Sequence, residues 1–145
     1  MQKLKDFLGK KALGFWFSAS AAVLSLVLFI AYLIGYAGSE YISWGVPVLL
    51  ILSVAAFAVL TFFDKTAIYA PAAQLVLAFG GLCVYICSIH VYLAGAFPDG
   101  VNMESIRGLS PVFFVTIVFF LLITIAGHIG VYMKQNKNRI TEESK

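Results

Sequence analysis

Four long apolar runs, separated by short polar segments, make up more than half of this 145-residue chain. They cover residues 15–36, 46–63, 72–93 and 112–133, and none of them contains a Lys, Arg, Asp or Glu. A helix needs about 20 residues to cross about 30 Å of hydrocarbon, and each run has roughly that length. Stretches such as 112–125 are apolar on every side, apart from two threonines, and do not alternate with period two. They therefore predict helices, not the strands of a membrane β-barrel.

The pattern predicts an all-α, polytopic membrane protein whose single domain, residues 1–145, is a bundle of four transmembrane helices. Composition agrees, because only 12% of the residues are charged, against about 25% in soluble domains. A basic segment precedes the first run, as in a signal peptide. The run is nevertheless longer than the usual apolar stretch of about 7–15 residues, so we expect it to remain as a span.

The basic residues predict the topology. With four spans, nine of the ten Lys and Arg residues fall on one side of the membrane, and Arg107 alone falls on the other. Cytoplasmic loops and tails carry the excess of positive charge, so we expect both termini in the cytoplasm. We expect the location to be the plasma membrane of a bacterium.

The polar segments divide into three parts. Residues 1–11 have the spacing of a short basic amphipathic helix, which would either bind anionic lipid or serve only as a topological anchor. Residues 94–110 form the predicted external loop, with a turn at 98–100 and a possible helix cap at Asn102. Residues 134–145 form the predicted cytoplasmic tail.

Small residues mark the predicted helix contacts, because membrane helices associate by close approach of their backbones. In the first run these residues are Ser18, Ala22 and Ser25, and in the last run they are Gly127 and Gly130. Aromatic residues near the outer boundary predict an interfacial belt. The belt residues are Tyr32, Tyr36, Tyr41 and Trp44.

The third run carries the most unusual stripe: Gly80, Cys83, Cys87, His90 and Ala94. Spacings of 3 and 4 place them on one helical face, which we expect to turn inward against protein. One zinc ion cannot bind both Cys83 and His90, because they lie about 10.5 Å apart along the axis. Cys87 and His90 form at most half a site, so no metal is predicted. A Cys83–Cys87 disulfide would join successive turns with poor geometry.

Two histidines remain as candidate functional residues. His90 is predicted near the outer end of the third span and His128 near the inner end of the fourth, roughly 20 Å apart, too far to ligate one haem. His90 could form a titratable cluster with Asp99 or Glu104, in a loop that also carries Arg107. The alternative is a histidine that only bonds a loop carbonyl.

No Lys, Arg, Asp or Glu lies in mid-membrane, where an ionisable residue usually marks an ion or substrate path. Phosphate-loop, zinc-hydrolase and serine-hydrolase motifs are also absent, so we predict no enzyme and no cofactor. The leading hypothesis is a non-enzymatic accessory or assembly subunit that contacts the lipid bilayer and a membrane-protein partner or its own copies. A small oligomeric carrier or channel is the alternative, and a redox or metal-binding membrane protein is third. Nucleic acid is not an expected partner, because the positive charge flanks spans.

Overall fold

The computed structural model describes residues 11–40, 42–63, 65–97, 100 and 103–135, with residues 104 and 105 described by their backbone alone. The predictions for residues 1–10, for Asn102 and for residues 136–145 lie outside this part of the chain. The helices are α1 (Leu13–Gly35), α2 (Gly45–Phe62), α3 (Ala70–Ala96), α4 (Met103–Arg107) and α5 (Pro111–Tyr132).

The predicted fold class is confirmed, since four of these helices are long and apolar enough to cross a membrane. Their ends lie within three residues of the predicted spans. The largest difference is at α3, which continues through Ala96 into the segment predicted as loop. Proline falls in the first turn of α3 and of α5, where no backbone hydrogen bond is lost. Ser110 caps α5 by accepting a hydrogen bond from the Val112 N–H.

The four long helices form a ring in the order α1, α2, α3, α5. Each contacts its two neighbours in the ring, with the closest packing between α1 and α5 and between α2 and α3, while α1 and α3 touch only slightly across the diagonal. Short connections make successive long helices antiparallel, the usual arrangement of a simple bundle. The start of α1 and the end of α5 therefore lie together at what we call the terminal end. The opposite end is called the distal end.

Backbone hydrogen bonds join the two chain segments at the terminal end. Ala12 N–H donates to the Gln135 carbonyl at 3.0 Å, and Gly14 N–H donates to the Lys134 carbonyl at 3.1 Å. The Gln135 side chain in turn donates to the Gly130 carbonyl at 2.6 Å. The first N–H groups and the last C=O groups of a helix lack partners within it. These hydrogen bonds give partners to backbone groups at the start of α1 and the end of α5. They also hold the described ends of the chain together on one side of the membrane.

The helices bury narrow stripes and expose broad apolar faces. Only 22–33% of each span is buried inside the chain. The exposed surface is rich in large apolar side chains such as Ile34, Val76 and Phe62, which is 77% exposed. A soluble monomer does not present apolar surface on this scale. The chain is thus an integral, multi-pass membrane protein whose outer faces contact the lipid bilayer.

Candidate functional site

The stripe of α3 that carries its thiols and histidine faces away from the bundle. Cys83, Cys87 and His90 are all exposed, so the prediction that this face turns inward is wrong. The buried face of α3 instead carries Gln74, Ala78, Gly81, Tyr85 and Ile89. Cys83 follows Gly81 by two residues, a rotation of about 200° around the helix.

Residue size and polarity explain which face of α3 turns toward the bundle. Gly81 and Ala78 already give α3 the small interior residues that close packing needs. A Cβ at Gly81 would lie 3.5 Å from the Phe120 ring, whereas one at Gly80 would meet only a Leu49 methyl at 3.7 Å. Gly81 and not Gly80 therefore lies at the bundle interior. Tyr85, which is large and polar, occupies the interior because it finds a hydrogen-bond partner there.

The other small residues predicted at helix contacts lie inside the bundle. Ser18, Ala22 and Ser25 of α1 are buried, as are Gly127 and Gly130 of α5. Both serine hydroxyls donate to carbonyls one turn earlier in α1, at 3.0 Å for Ser18 and 2.9 Å for Ser25. A Cβ on Gly130 would collide with the Ser18 hydroxyl. The absence of a side chain at Gly130 is thus what lets α1 and α5 approach each other.

The two histidines are exposed and bond to their own helices. Nδ1 of His90 donates to the Cys87 carbonyl, and Nδ1 of His128 donates to the Thr124 carbonyl at 3.0 Å. The recorded bond of His90 is to a carbonyl of α3. Its predicted bond to a loop carbonyl stays a prediction, because much of that loop lies outside the described residues. Arg107 is exposed at the end of α4. The side chains of Asp99 and Glu104 lie outside the described residues, so the proposed cluster with His90 stays a prediction.

No group of three or more His, Cys, Asp or Glu side chains in the described part of the chain is arranged to hold a metal ion. Cys87 and His90 are the nearest approach to such a group, and they supply two ligand types on one turn of α3. Zinc requires about four ligands. A metal at this position would therefore need ligands beyond those that the described residues supply.

A buried tyrosine network fills the distal half of the bundle. Tyr36 and Tyr85 join their hydroxyls at 2.7 Å, linking the end of α1 to the middle of α3. Tyr32 accepts a hydrogen bond from the Ser43 N–H at 3.0 Å and packs against Tyr36, with ring centroids 4.7 Å apart. Phe120 of α5 closes the cluster, 5.9 Å from the Tyr85 ring. Each buried phenol thus has a partner, as burial of a hydroxyl requires.

The aromatic belt prediction is wrong for two of its members. Tyr32 and Tyr36 are buried inside the bundle, so their rings do not face the lipid as belt residues do. Trp44 is 67% exposed at the start of α2, and Tyr41 lies outside the described residues. The burial of Tyr32 could have been predicted from the sequence. Tyr32 follows Ser25 by seven residues, so both lie on the stripe of α1 that small residues had already marked as interior.

A small cavity lies beside this network at the distal end, between α1, α3 and α5. Its volume is about 210 Å³. We call it the distal cavity. Its wall combines three aromatic rings, two aliphatic side chains, two serines and one glycine: Tyr36, Tyr92, Phe113, Ile89, Val112, Ser39, Ser110 and Gly35. The Tyr92 hydroxyl accepts a hydrogen bond from the Ser110 N–H at 2.8 Å, which joins the end of α3 to the start of α5.

The terminal half of the bundle holds a buried amide without a partner. Gln74 is 1% exposed, in the second turn of α3, and neither its Nε2 nor its Oε1 makes a hydrogen bond within the described part of the chain. The buried hydroxyls of Ser18 and Ser25, by contrast, are both satisfied by their own helix. A buried amide without partners is costly. Among the described residues, Gln74 is the one whose buried side-chain atoms lack a partner.

Comparisons of the chain with known protein families, with curated proteins and with solved structures found no match. The function must therefore be argued from the chain's own geometry.

Proposed function

We propose that this integral membrane protein is a non-enzymatic accessory or assembly subunit of a larger membrane complex. In this proposal it docks against a transmembrane helix of a partner protein through the outward stripe of α3. The observation that carries the proposal is the exposure of Cys83, Cys87 and His90 on a helix whose own bundle does not use them.

Polar and small residues on the outer face of a membrane helix favour protein over lipid as their neighbour. Hydrocarbon offers no hydrogen bonds, whereas another helix offers carbonyls, hydroxyls and close packing. The outward residues of α2 and of the middle of α5 are aliphatic, aromatic or alanine; Val48, Val59, Val118 and Leu121 are examples. Exposed polar side chains also occur at Ser20 of α1 and His128 of α5. Among the described helices, however, α3 carries three of them along one face, which supports α3 as the docking helix.

The spacing of the stripe supports a helix as the docking partner. Gly80, Cys83, Cys87, His90 and Ala94 repeat at 3 and 4 residues, which is the seam of a left-handed helix pair. Left-handed crossings of about 20° are the commonest in membrane bundles. His90 adds specificity, because its Nδ1 is already bonded to Cys87 and Nε2 is then the ring nitrogen left to accept a partner's donor.

The packing of the interior favours an accessory role over a pore through a single chain. Large buried side chains occupy the middle of the bundle, among them Leu28, Leu50, Tyr85, Phe120 and Ile123. A carrier or channel built from one copy would need a polar path where these residues pack. An oligomeric carrier, in which several copies meet along α3, is the second candidate and would use the same stripe.

The proposed orientation places the terminal end in the cytoplasm of a bacterial cell, with the distal end outside the plasma membrane. Nine of the ten basic residues support it, because they flank the terminal end. The docking stripe then lies in the half of the bilayer nearer the outside.

A photo-crosslinking experiment in intact membranes tests the docking stripe. Benzoylphenylalanine is incorporated in place of Cys83, Cys87 or His90, one at a time, and the cells are irradiated before extraction. We expect all three positions to give the same adduct, with a second membrane protein identified by mass spectrometry. The matched control is the same residue in place of Val118, which is 51% exposed on α5 and should give no such adduct.

Two results would contradict the proposal. Adducts only to lipid from all four positions would mean that the stripe has no protein partner. Adducts whose mass is twice that of the chain, from the α3 positions alone, would reject the accessory role and put the oligomeric carrier first.

A further inference from the structure

The distal cavity has the size of a substituted six-membered ring. Its volume is about 210 Å³, and an apolar cavity of about 150 Å³ is already large enough to bind benzene. Tyr36 is buried beneath it and held in place by its hydrogen bond to Tyr85. The cavity therefore has one wall that is fixed before any ligand arrives, which lowers the entropy lost on binding.

The wall of the distal cavity favours an electron-poor ring. Three of its eight residues, Tyr36, Tyr92 and Phe113, are aromatic, and the faces of such rings carry partial negative charge. A flat ring depleted of electrons stacks well on aromatic faces, so it suits a wall rich in aromatic residues. Ile89 and Val112 complete the wall with aliphatic groups that suit ring methyl substituents.

The polar groups of the wall favour a neutral ligand that accepts hydrogen bonds. None of the eight lining residues is charged, so an anion or cation would lose its hydration without compensation. The Ser110 hydroxyl accepts the Val112 N–H at 3.3 Å. A serine hydroxyl that accepts one bond still has its own proton to donate, and a ligand oxygen in the cavity is a suitable acceptor.

We propose that the distal cavity binds a neutral, electron-poor ring bearing carbonyl oxygens, the chemistry of a quinone headgroup. This inference is independent of the accessory role, because the cavity lies between α1, α3 and α5 and the docking stripe is on the outward face of α3. It concerns binding alone and requires no electron transfer by the chain. The ring has two possible sources, a tailed quinone dissolved in the membrane and a free tail-less ring.

Equilibrium dialysis of the detergent-solubilised full chain against duroquinone tests the proposal. Duroquinone is fully substituted and does not add to thiols, and Cys83→Ala with Cys87→Ala serves as the common background. We expect saturable binding of one duroquinone per chain. Val112→Phe should weaken that binding at least tenfold by filling the cavity. Val118→Phe makes the same change on the lipid-facing side of the same helix and should leave the affinity unchanged.

Two more variants and a second quinone complete the test. If Val112→Phe does not fold, because Val112 packs tightly against Gly35, Ser39→Leu fills the cavity from the loop side and should cause the same loss. Ser110→Ala should weaken binding several-fold by removing the donor. Decylubiquinone in place of duroquinone separates the sources, since binding of both points to the membrane quinone and binding of duroquinone alone to the free ring. Equal uptake by the Val112→Phe, Ser39→Leu and Val118→Phe proteins would mean partition into detergent only and would overturn the proposal, as would full affinity in Ser110→Ala.

Discussion

Replacing Gln74 by methionine should make this protein more stable. The Gln74 amide is buried to 99% and both of its polar atoms lack hydrogen bonds within the described part of the chain. Methionine has nearly the same length and volume but carries no group that needs a partner. The substitution therefore removes the cost of burying an unpaired amide without opening a cavity.

The size of the effect follows from the cost of a buried, unpaired amide. Mutational data give about 1–3 kcal/mol for such a group. In a membrane the unfolded helices also find partners for their polar side chains, which reduces differences of this kind. We therefore expect Gln74→Met to raise the free energy of unfolding by about 1–2 kcal/mol.

Steric trapping measures this free energy by monitoring reversible unfolding of the protein in lipid bicelles. Two controls separate polarity from size. Gln74→Ala removes the amide but leaves a cavity, and should be less stable than Gln74→Met by about 2 kcal/mol or more. Thr116→Val removes a buried hydroxyl that does have a partner, the Val112 carbonyl at 2.8 Å, and should give no gain.

A loss of stability in Gln74→Met would refute this reasoning, because it would show that the amide makes favourable bonds in the membrane. A gain would show that Gln74 is kept at a cost to stability.

Three further predictions follow from the packing and the topology. Gly130→Ala should lower the free energy of unfolding by about 1–3 kcal/mol through the collision with the Ser18 hydroxyl, whereas Gly95→Ala, with open space around it, should be neutral or slightly stabilising in the same assay. Tyr36→Phe should cost about 0.5–1.5 kcal/mol, because the Tyr85 hydroxyl loses its bond to Tyr36 but keeps Thr116 as a partner, and Tyr85→Phe should cost less in that background than in the native chain; a full sum of two losses would contradict the hydrogen bond. After removal of both native cysteines, Ser144→Cys should resist an impermeant thiol reagent added outside intact cells, and its labelling there would refute cytoplasmic termini.

The spans could be predicted from the sequence because the bilayer imposes one strong requirement on them. A run such as residues 112–133 must be about 20 residues long and free of charge, and both properties are visible in single-letter code. The small residues of α1 were equally visible. Ser18 and Ser25 satisfy their hydroxyls within the helix, so their burial needs no knowledge of the other helices.

The orientation of α3 could not be predicted in the same way. Its sides are all apolar enough for lipid, so hydrophobicity does not mark which face turns inward. Residue size pointed to Gly80 and Cys83, while the true interior includes Tyr85, whose burial depends on the hydroxyl of Tyr36, 49 residues away. The distal cavity could not be predicted either, because it too depends on contacts between distant parts of the chain. It brings together Ser39, Tyr92 and Ser110, and no local pattern links those three positions.

The most direct test of the docking proposal uses the two native cysteines as spin-label sites. Nitroxides at Cys83 and Cys87 are examined by electron paramagnetic resonance, first in nanodiscs that hold one copy of the chain and then in the complex isolated from native membranes. The proposal predicts mobile labels with high access to oxygen in the nanodisc, because both side chains face lipid there. It predicts immobile, oxygen-protected labels in the complex. Labels that are already immobile and protected in the single-copy nanodisc would contradict an outward docking stripe on α3.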